Sequence, residues 1–313
     1  MKKIFRYGHR WIGLVFGIFI TVVCLTGAVL VWQDELNSFA NRTTPQGEIL
    51  DAETLIERVQ QQQPEGLTLV ALHMPADDHH VAEAQFAELG RQTLAVNPYT
   101  GELGDKAGSS LVAFTKKLHR WLLMPPADTH GGMSVGRVIV GCTAIALTLL
   151  LISGIILWWP KNGKMLRQRL VPHMRQGNRR RVYDLHVVLG IYAVVFLLAM
   201  SLTGPIFSFP WYRTAATALA GGEASEMHLH QGGGHDGGNI EQQVMVVMPQ
   251  QDGQPHGKVP VQMRFTQWHT GSIGGIVTKV HWCLAALIGA SLPITGFLIY
   301  RHRGRPSGSR KDN

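Results

Sequence analysis

The sequence predicts a mainly α membrane protein, a four-transmembrane-helix bundle with a small α+β segment outside the bilayer. Three observations carry that prediction. The 313-residue chain holds four apolar runs free of Asp, Glu, Lys and Arg: Trp11–Trp32, Val138–Trp159, Leu185–Pro210 and Val280–Tyr300. Each is long enough to cross a bilayer as a helix. The first and third repeat one another, because Thr26-Gly27 follows His9 at the same interval, seventeen residues, as Thr203-Gly204 follows His186, and each histidine has a glycine four residues later. The links between runs alternate in charge, which is how a multi-pass chain encodes its topology. A 45% hydrophobic content and a mean hydropathy of +0.05 would suit a soluble protein. The averages conceal the blocks, and a buried soluble helix explains one such run but not four with basic flanks.

Taken in order, the first run follows Lys2, Lys3, Arg6 and Arg10, and it ends in Val31-Trp32-Gln33-Asp34. Its apolar part is longer than a secretory h-region and no small-x-small cleavage site follows, so it is expected to remain as a helix. Next come Asp51–Gln63, with Leu55, Ile56 and Val59 at helical spacing and Asp51 as its cap. Gly66–His73 and Val81–Leu89 read as strands, and Thr93–Val96 runs into the turn Asn97-Pro98-Tyr99-Thr100-Gly101. A domain this small is expected to lean on the membrane helices or on the other outward segment. Lys116–Leu123 is amphipathic and suits the membrane surface, ahead of a turn at Pro125-Pro126. After the third run, Val244–Met248 and Val259–Phe265 alternate as a hairpin would, and Glu226–Gly238 is a low-complexity His/Gly-rich loop.

The expected division is thus 1–32, N-terminus and helix one; 33–134, α+β domain and surface helix; 135–159, helix two; 160–184, basic loop; 185–210, helix three; 211–272, second outward segment; 273–300, helix four; and 301–313, tail. The 160–184 link carries Lys161, Lys164, Arg167, Arg169, Arg175, Arg179, Arg180 and Arg181 against Asp184, and the tail is also basic. The loop and both termini are therefore expected in the cytoplasm, and the two long links in the periplasm of a bacterium. The net charge of +8 then records topology, and no basic and aromatic surface module supports nucleic-acid binding.

Cys24, Cys142 and Cys283 all lie in apolar runs, and no Cys-x-x-Cys-His occurs. Covalent c-type haem attachment is excluded on that ground, and a thiolate-held iron–sulfur cluster has no support in the sequence. Histidines carry the remaining chemistry. His9 and His186 occupy matched positions at the inward ends of repeated helices, where a b-type haem takes one imidazole on each face. His119, His130, His269 and His281 lie toward the outward end. Two of these can serve a second haem, and spacing does not choose which. His281 lies within a helix whereas His269 precedes Gly271-Ser272-Ile273-Gly274-Gly275, so rigidity favours His281. His228, His230 and His235 are candidates for weak metal binding in the outer loop.

The chain resembles the PepSY-associated transmembrane family of iron-regulated inner-membrane proteins, which includes bacterial ferric-siderophore reductases with a four-helix, two-haem core. The resemblance rests on Tyr7-Gly8-His9-Arg10-Trp11-Ile12-Gly13 with Leu25-Thr26-Gly27, the Asn97–Glu102 turn typical of a PepSY unit, Leu118-His119-Arg120-Trp121, and Ser153-Gly154. It extends through Asp184-Leu185-His186 with Leu202-Thr203-Gly204 to Trp268-His269-Thr270-Gly271 with Gly274-Gly275. It implies histidine positions at His9, His119, His186 and His269, which sets His269 against His281. It implies two haem b groups with bis-histidine ligation, and electron transfer from the cytoplasmic side to a periplasmic ferric siderophore or other ferric chelate. No Gly-x-Gly-x-x-Gly follows a strand, so the donor is expected to be a separate cytoplasmic reductase or membrane quinol. The rival readings are a non-enzymatic sensor or scaffold that binds a periplasmic peptide or protein, and metal uptake through the His-rich loop. Uptake normally needs polar or charged groups at mid-membrane, where these runs offer chiefly Thr, Ser and Cys.

Overall fold

The structure, a computed structural model, describes residues 2–75, 77–90, 92–124, 133–160, 162–172, 177–221, 244–247 and 261–303. His130, Pro125-Pro126 and the His/Gly-rich loop lie outside the described residues.

The helices are α1 (Lys2–Leu30), α2 (Gln33–Ala40), α3 (Ala52–Gln62), α4 (Ser110–Trp121), α5 (Val135–Trp158), α6 (Gly163–Arg169), α7 (Asn178–Ser208), α8 (Pro210–Leu219), α9 (Val261–Thr270) and α10 (Gly275–Arg303). The strands are β1 (Leu69–His73), β2 (Ala82–Phe86), β3 (Thr93–Val96), β4 (Leu103–Lys106) and β5 (Met245–Val247). Four helical segments, Lys2–Leu30, Val135–Trp158, Asn178–Ser208 and Ser272–Arg301, are long and apolar enough to span a membrane. The chain divides into two compact units, Met1–Trp32 with Phe114–Ala224 and Val259–Asn313, and Gln33–Ala113 with Ser225–Lys258.

In the first unit α1, α5, α7 and α10 form a ring in which α1 and α7 each pack against both α5 and α10. Successive spans run in opposite directions, so α1 and α7 stand across the bundle from each other. Small residues let the backbones close up, as is usual where lipid removes the hydrophobic drive between helices. A Cβ on Gly289 would lie 2.8 Å from Leu197 and 3.1 Å from the Cys24 thiol, and one on Gly17 would lie 3.2 Å from Pro293. Ala146, Ala193, Ala285, Ala286 and Ala290 are buried in the same interior. The outer faces are the reverse of a soluble protein's: Ile18, Val195 and Leu284 are exposed, Ile18 at 71% and Val195 at 69%. Such faces are stable only where the surrounding solvent is hydrocarbon.

α1 and α7 begin well before the apolar runs, at Lys2 and Asn178. Basic residues continue a helix readily, so His9 and His186 sit a full two turns inside their helices rather than at the edges.

In the second unit Asp51 caps α3, its carboxylate accepting from the Thr54 N–H at 2.9 Å and the Thr54 hydroxyl at 2.7 Å. These bonds hold the Asp51 carboxyl below its ordinary range. Leu55 and Val59 from α3 pack on Leu69, Leu72, Ala82, Ala84, Phe86 and Val96 of a five-stranded sheet ordered β4-β3-β2-β1-β5. The Asn97–Gly101 turn forms as expected, with Asn97 Oδ1 accepting from the Tyr99 N–H at 2.9 Å. It leads into β4, a strand the sequence reading lacked.

The expected hairpin is corrected. β5 pairs parallel with β1, and 261–270 is helical rather than a second strand. Val261, Phe265 and Trp268 recur at helical intervals, so the alternating Val261, Met263 and Phe265 satisfied both periods and the short window did not separate them. The expectation that the α+β domain leans on the second outward segment takes the form of the β1–β5 pairing.

Candidate functional site

Four histidines enter the bundle interior, and each is held in the same way. His9 on α1 places Nδ1 2.8 Å from Ser153 Oγ on α5. His186 on α7 places Nδ1 2.9 Å from Thr295 Oγ1 on α10. At the other end His119 on α4 reaches Thr26 Oγ1 on α1 at 2.9 Å and the Val23 carbonyl at 3.0 Å. His269 on α9 reaches Thr203 Oγ1 on α7 at 2.9 Å and the Met200 carbonyl at 3.1 Å.

The hydroxyls settle the tautomer. Thr26 donates to its own helix carbonyls at Val22 and Val23, Thr203 to Ala199 and Met200, Thr295 to Ser291 and Leu292, and Ser153 to Leu150. With its proton given to a carbonyl, each oxygen is free to accept from the imidazole. The Val23 and Met200 carbonyls can only accept, so Nδ1 carries the ring proton in His119 and His269; the matching hydroxyl geometry assigns the same tautomer to His9 and His186, which leaves Nε2 the lone pair. A hydrogen bond from Nδ1–H to a neighbouring oxygen is how proteins orient a metal-ligating imidazole. Desolvation pushes both His119 and His269 down to about 4, and for His119 the charge of His269 adds to it, so these rings are neutral and able to ligate.

A glycine follows each hydroxyl residue and faces the ring that the hydroxyl holds. A Cβ on Gly27 would stand 3.3 Å from His119 Cε1, on Gly204 3.7 Å from His269 Cε1, on Gly154 3.6 Å from His9 Cε1, and on Gly296 3.5 Å from His186 Cε1. The site is thus built from four Ser/Thr-Gly cradles. Thr26-Gly27 and Thr203-Gly204 were visible in the sequence repeat. Ser153-Gly154 and Thr295-Gly296 were not connected to any histidine, and the recurring dipeptide late in each apolar run was the signal available.

The cradles bring the histidines together in two pairs. His9 and His186 have ring centres 6.3 Å apart with planes at 88°, and His119 and His269 have ring centres 6.3 Å apart with planes at 60°. His281 joins neither pair: it is exposed, bonds to the Val277 carbonyl one turn back and stacks on Phe196 at 5.8 Å. Lying in a rigid helix did not bring it to the interior, because its position on α10 faces away. His269 reaches the core through the turn after α9, where Gly271 has φ +76° and a Cβ would lie 2.5 Å from the Trp282 ring. His119 reaches it because α4 ends against α5, with a Cβ on Gly136 falling 1.8 Å from the Trp121 carbonyl oxygen.

The spacing can be tested against a metal centre. With about 2.0–2.1 Å for an imidazole–metal bond and about 1.2 Å from nitrogen to ring centre, two collinear imidazoles on one ion have centres about 6.4 Å apart, which matches both pairs. Among the described residues no three His, Cys, Asp or Glu side chains cluster as metal ligands. Two imidazoles alone underfill a free ion that takes four to six ligands. They suit an ion already held in its equatorial plane, as haem iron is. The His9–His186 pair lines a cavity of about 440 Å³, within the range of small-molecule and cofactor sites. Gly13 and Gly190, the glycines four residues after the two histidines, line it as well.

A search of curated proteins found no match to this chain. The family model for the PepSY-associated TM region matches residues 6–303, so both histidine pairs and all four apolar runs fall within it, and the protein belongs to that family.

Proposed function

We propose that this protein is a di-haem b electron carrier of the bacterial inner membrane that reduces ferric iron, held as a siderophore or other ferric chelate, at its periplasmic face. The observation that supports this most directly is the pairing of four neutral-type imidazoles, Nδ1 occupied and Nε2 available, at 6.3 Å in both pairs. His9 with His186 would hold one haem and His119 with His269 the other. Haem b, held by two of these imidazoles, would supply a one-electron carrier suited to electron transfer rather than oxygen chemistry.

The remaining parts are the chain's own. His9 and Thr26 lie seventeen residues apart on α1, about 26 Å at 1.5 Å per residue, so the two pairs stand toward opposite faces of the membrane. Ser153, Thr26, Thr203 and Thr295 fix the rings against rotation. The helices offer an electron a passage while keeping a charged chelate out of the hydrocarbon, where its polar bulk is costly. The positive-inside bias supports a cytoplasmic setting for the His9–His186 end, since Arg179, Arg180 and Arg181 stand at the start of α7 and Lys2, Lys3 and Arg6 on α1. Electrons then enter there, from a separate reductase or membrane quinol, and leave at the His119–His269 end.

The test uses sealed vesicles of known orientation with the protein's haem reduced and an impermeant ferric chelate added to one side at a time. Rapid reoxidation is expected from the face opposite the 160–184 loop. Equal or faster reoxidation from the loop's own face would overturn the direction, and a colourless folded protein from haem-replete cells would overturn the cofactor.

A further inference from the structure

The cavity beside His9 and His186 makes a demand that the two imidazoles do not explain. Arg10 and Trp158 line it, and a buried nitrogen of each, Arg10 Nε and Trp158 Nε1, has no hydrogen-bond partner. Unmet buried donors are rare in native proteins, and each calls for an acceptor. Arg10 is a permanent cation ringed by aromatics, its guanidinium 5.5 Å from the Tyr7 ring, 5.6 Å from Trp11 and 5.8 Å from Tyr300. A cation at such a site within a membrane span needs a counter-charge. Two other basic residues at this end are already engaged: Arg180 pairs with the buried Asp184 carboxylate at 2.9 Å, and Arg169 donates to the Trp158 carbonyl. Arg169 thereby fixes the end of α5 from which the Trp158 indole projects. Arg6 lies one helical turn from Arg10 toward the same end and lines the same cavity.

We propose that Arg10 and Trp158, with Arg6 beside them, form a carboxylate-binding subsite in the cavity of the His9–His186 pair, which takes the propionate edge of the porphyrin held by those histidines. The inference rests on the haem reading above and deepens it. It fits an acceptor of two oxygens, which an arginine fork meets bidentately while an indole N–H adds a further bond. It also sets the group's orientation, with its acid edge turned to the basic end of the bundle and its apolar edge toward Leu147, Leu151 and Leu292 on the cavity wall.

The subsite is tested with the full-length protein, His269→Ala so that only one pair remains, depleted of haem and placed in nanodiscs of neutral lipid. Iron protoporphyrin IX and its dimethyl ester are titrated separately, and the Soret band reports binding. The diacid is expected to bind at least about 10-fold tighter than the diester, and Arg10→Gln to reduce that ratio to less than about 3-fold while the diester affinity and the bis-imidazole spectrum stay as they were. Arg10→Lys should recover part of the preference, because the charge returns without the fork. Equal affinity for diacid and diester, or a ratio that Arg10→Gln leaves unchanged, overturns the subsite and leaves the haem reading standing. A preference seen in neutral lipid that anionic lipid abolishes assigns Arg10 to a phosphate headgroup in the membrane and overturns it as well. If neither porphyrin gives a bis-imidazole spectrum, the haem reading fails and the subsite fails with it.

Discussion

The two ends of the bundle hold their histidines by the same contacts but from opposite sides. At one end the histidines belong to α1 and α7, and α5 and α10 supply the hydroxyl and glycine. At the other end α1 and α7 supply the cradle, and the histidines arrive on the short helices α4 and α9. The first pair is therefore positioned wholly by long helices packed along their length. The second depends in addition on two corners, Trp121 against Gly136 and Gly271 against Trp282. The difference shows that a histidine position can be secured by span packing or by a turn, and it predicts that the two ends fail differently.

On the proposed function, the largest effect comes from the four paired histidines. His186→Ala and His269→Ala should each lower haem from two per chain to one by pyridine-haemochrome assay, whereas His281→Ala leaves it at two. Loss of haem on removing His281 would restore that residue to the ligand set and break the symmetry of the four cradles.

Next come the corners. Gly136→Ala and Gly271→Ala introduce a methyl group where backbone or an indole already stands, and Gly271 also has φ +76°. Overpacking of this kind costs about 1–3 kcal/mol or more. Haem loss should fall on the His119–His269 end alone, seen as half the content with the His9–His186 spectrum retained. Equal loss at both ends would mean that the corners support the whole bundle and that the contrast between the ends is false.

The hydroxyls come third. Thr203→Val or Thr295→Val removes the acceptor for an imidazole N–H while keeping volume, and outer-shell losses of this type typically cost 10–100-fold in metal affinity. The carbonyls of Val23 and Met200 stand within 3.0–3.1 Å of the His119 and His269 rings and give them a second acceptor. Thr203→Val is thus expected at the low end of that range, measured by haem titration of each single-site protein.

The smallest effect separates the glycines. Alanine at Gly154 meets His9 at 3.6 Å, an ordinary contact, whereas at Gly27 it meets His119 at 3.3 Å, close enough to push the ring. Gly154→Ala should leave haem affinity within about 2-fold, and Gly27→Ala should weaken it several-fold. The reverse order would show that the His119 ring has room to yield.

By itself the sequence determined the four spans, because four continuous apolar lengths with basic flanks have no common stable setting but lipid, and it determined the α3 cap and the Asn97–Gly101 turn, because those depend on neighbouring residues alone. The His9–His186 match was equally legible, since both histidines and both Thr-Gly pairs lie on single helices at a fixed interval. What only the tertiary structure decided was every choice between elements distant in sequence. The rigidity of α10 pointed to His281, but which face of a helix meets the core depends on its neighbours, and that face carries Trp282, Ala285 and Ala286 inward and leaves His281 outside. Likewise Val261–Phe265 alternated like a strand, yet whether it finds a pairing edge or a packing face is a property of the assembled chain, and the edge beside β1 was taken by β5. The partnership of Ser153 with His9 and of Thr295 with His186 joins residues more than a hundred positions apart, and a hydrogen bond at that separation leaves no trace in local periodicity.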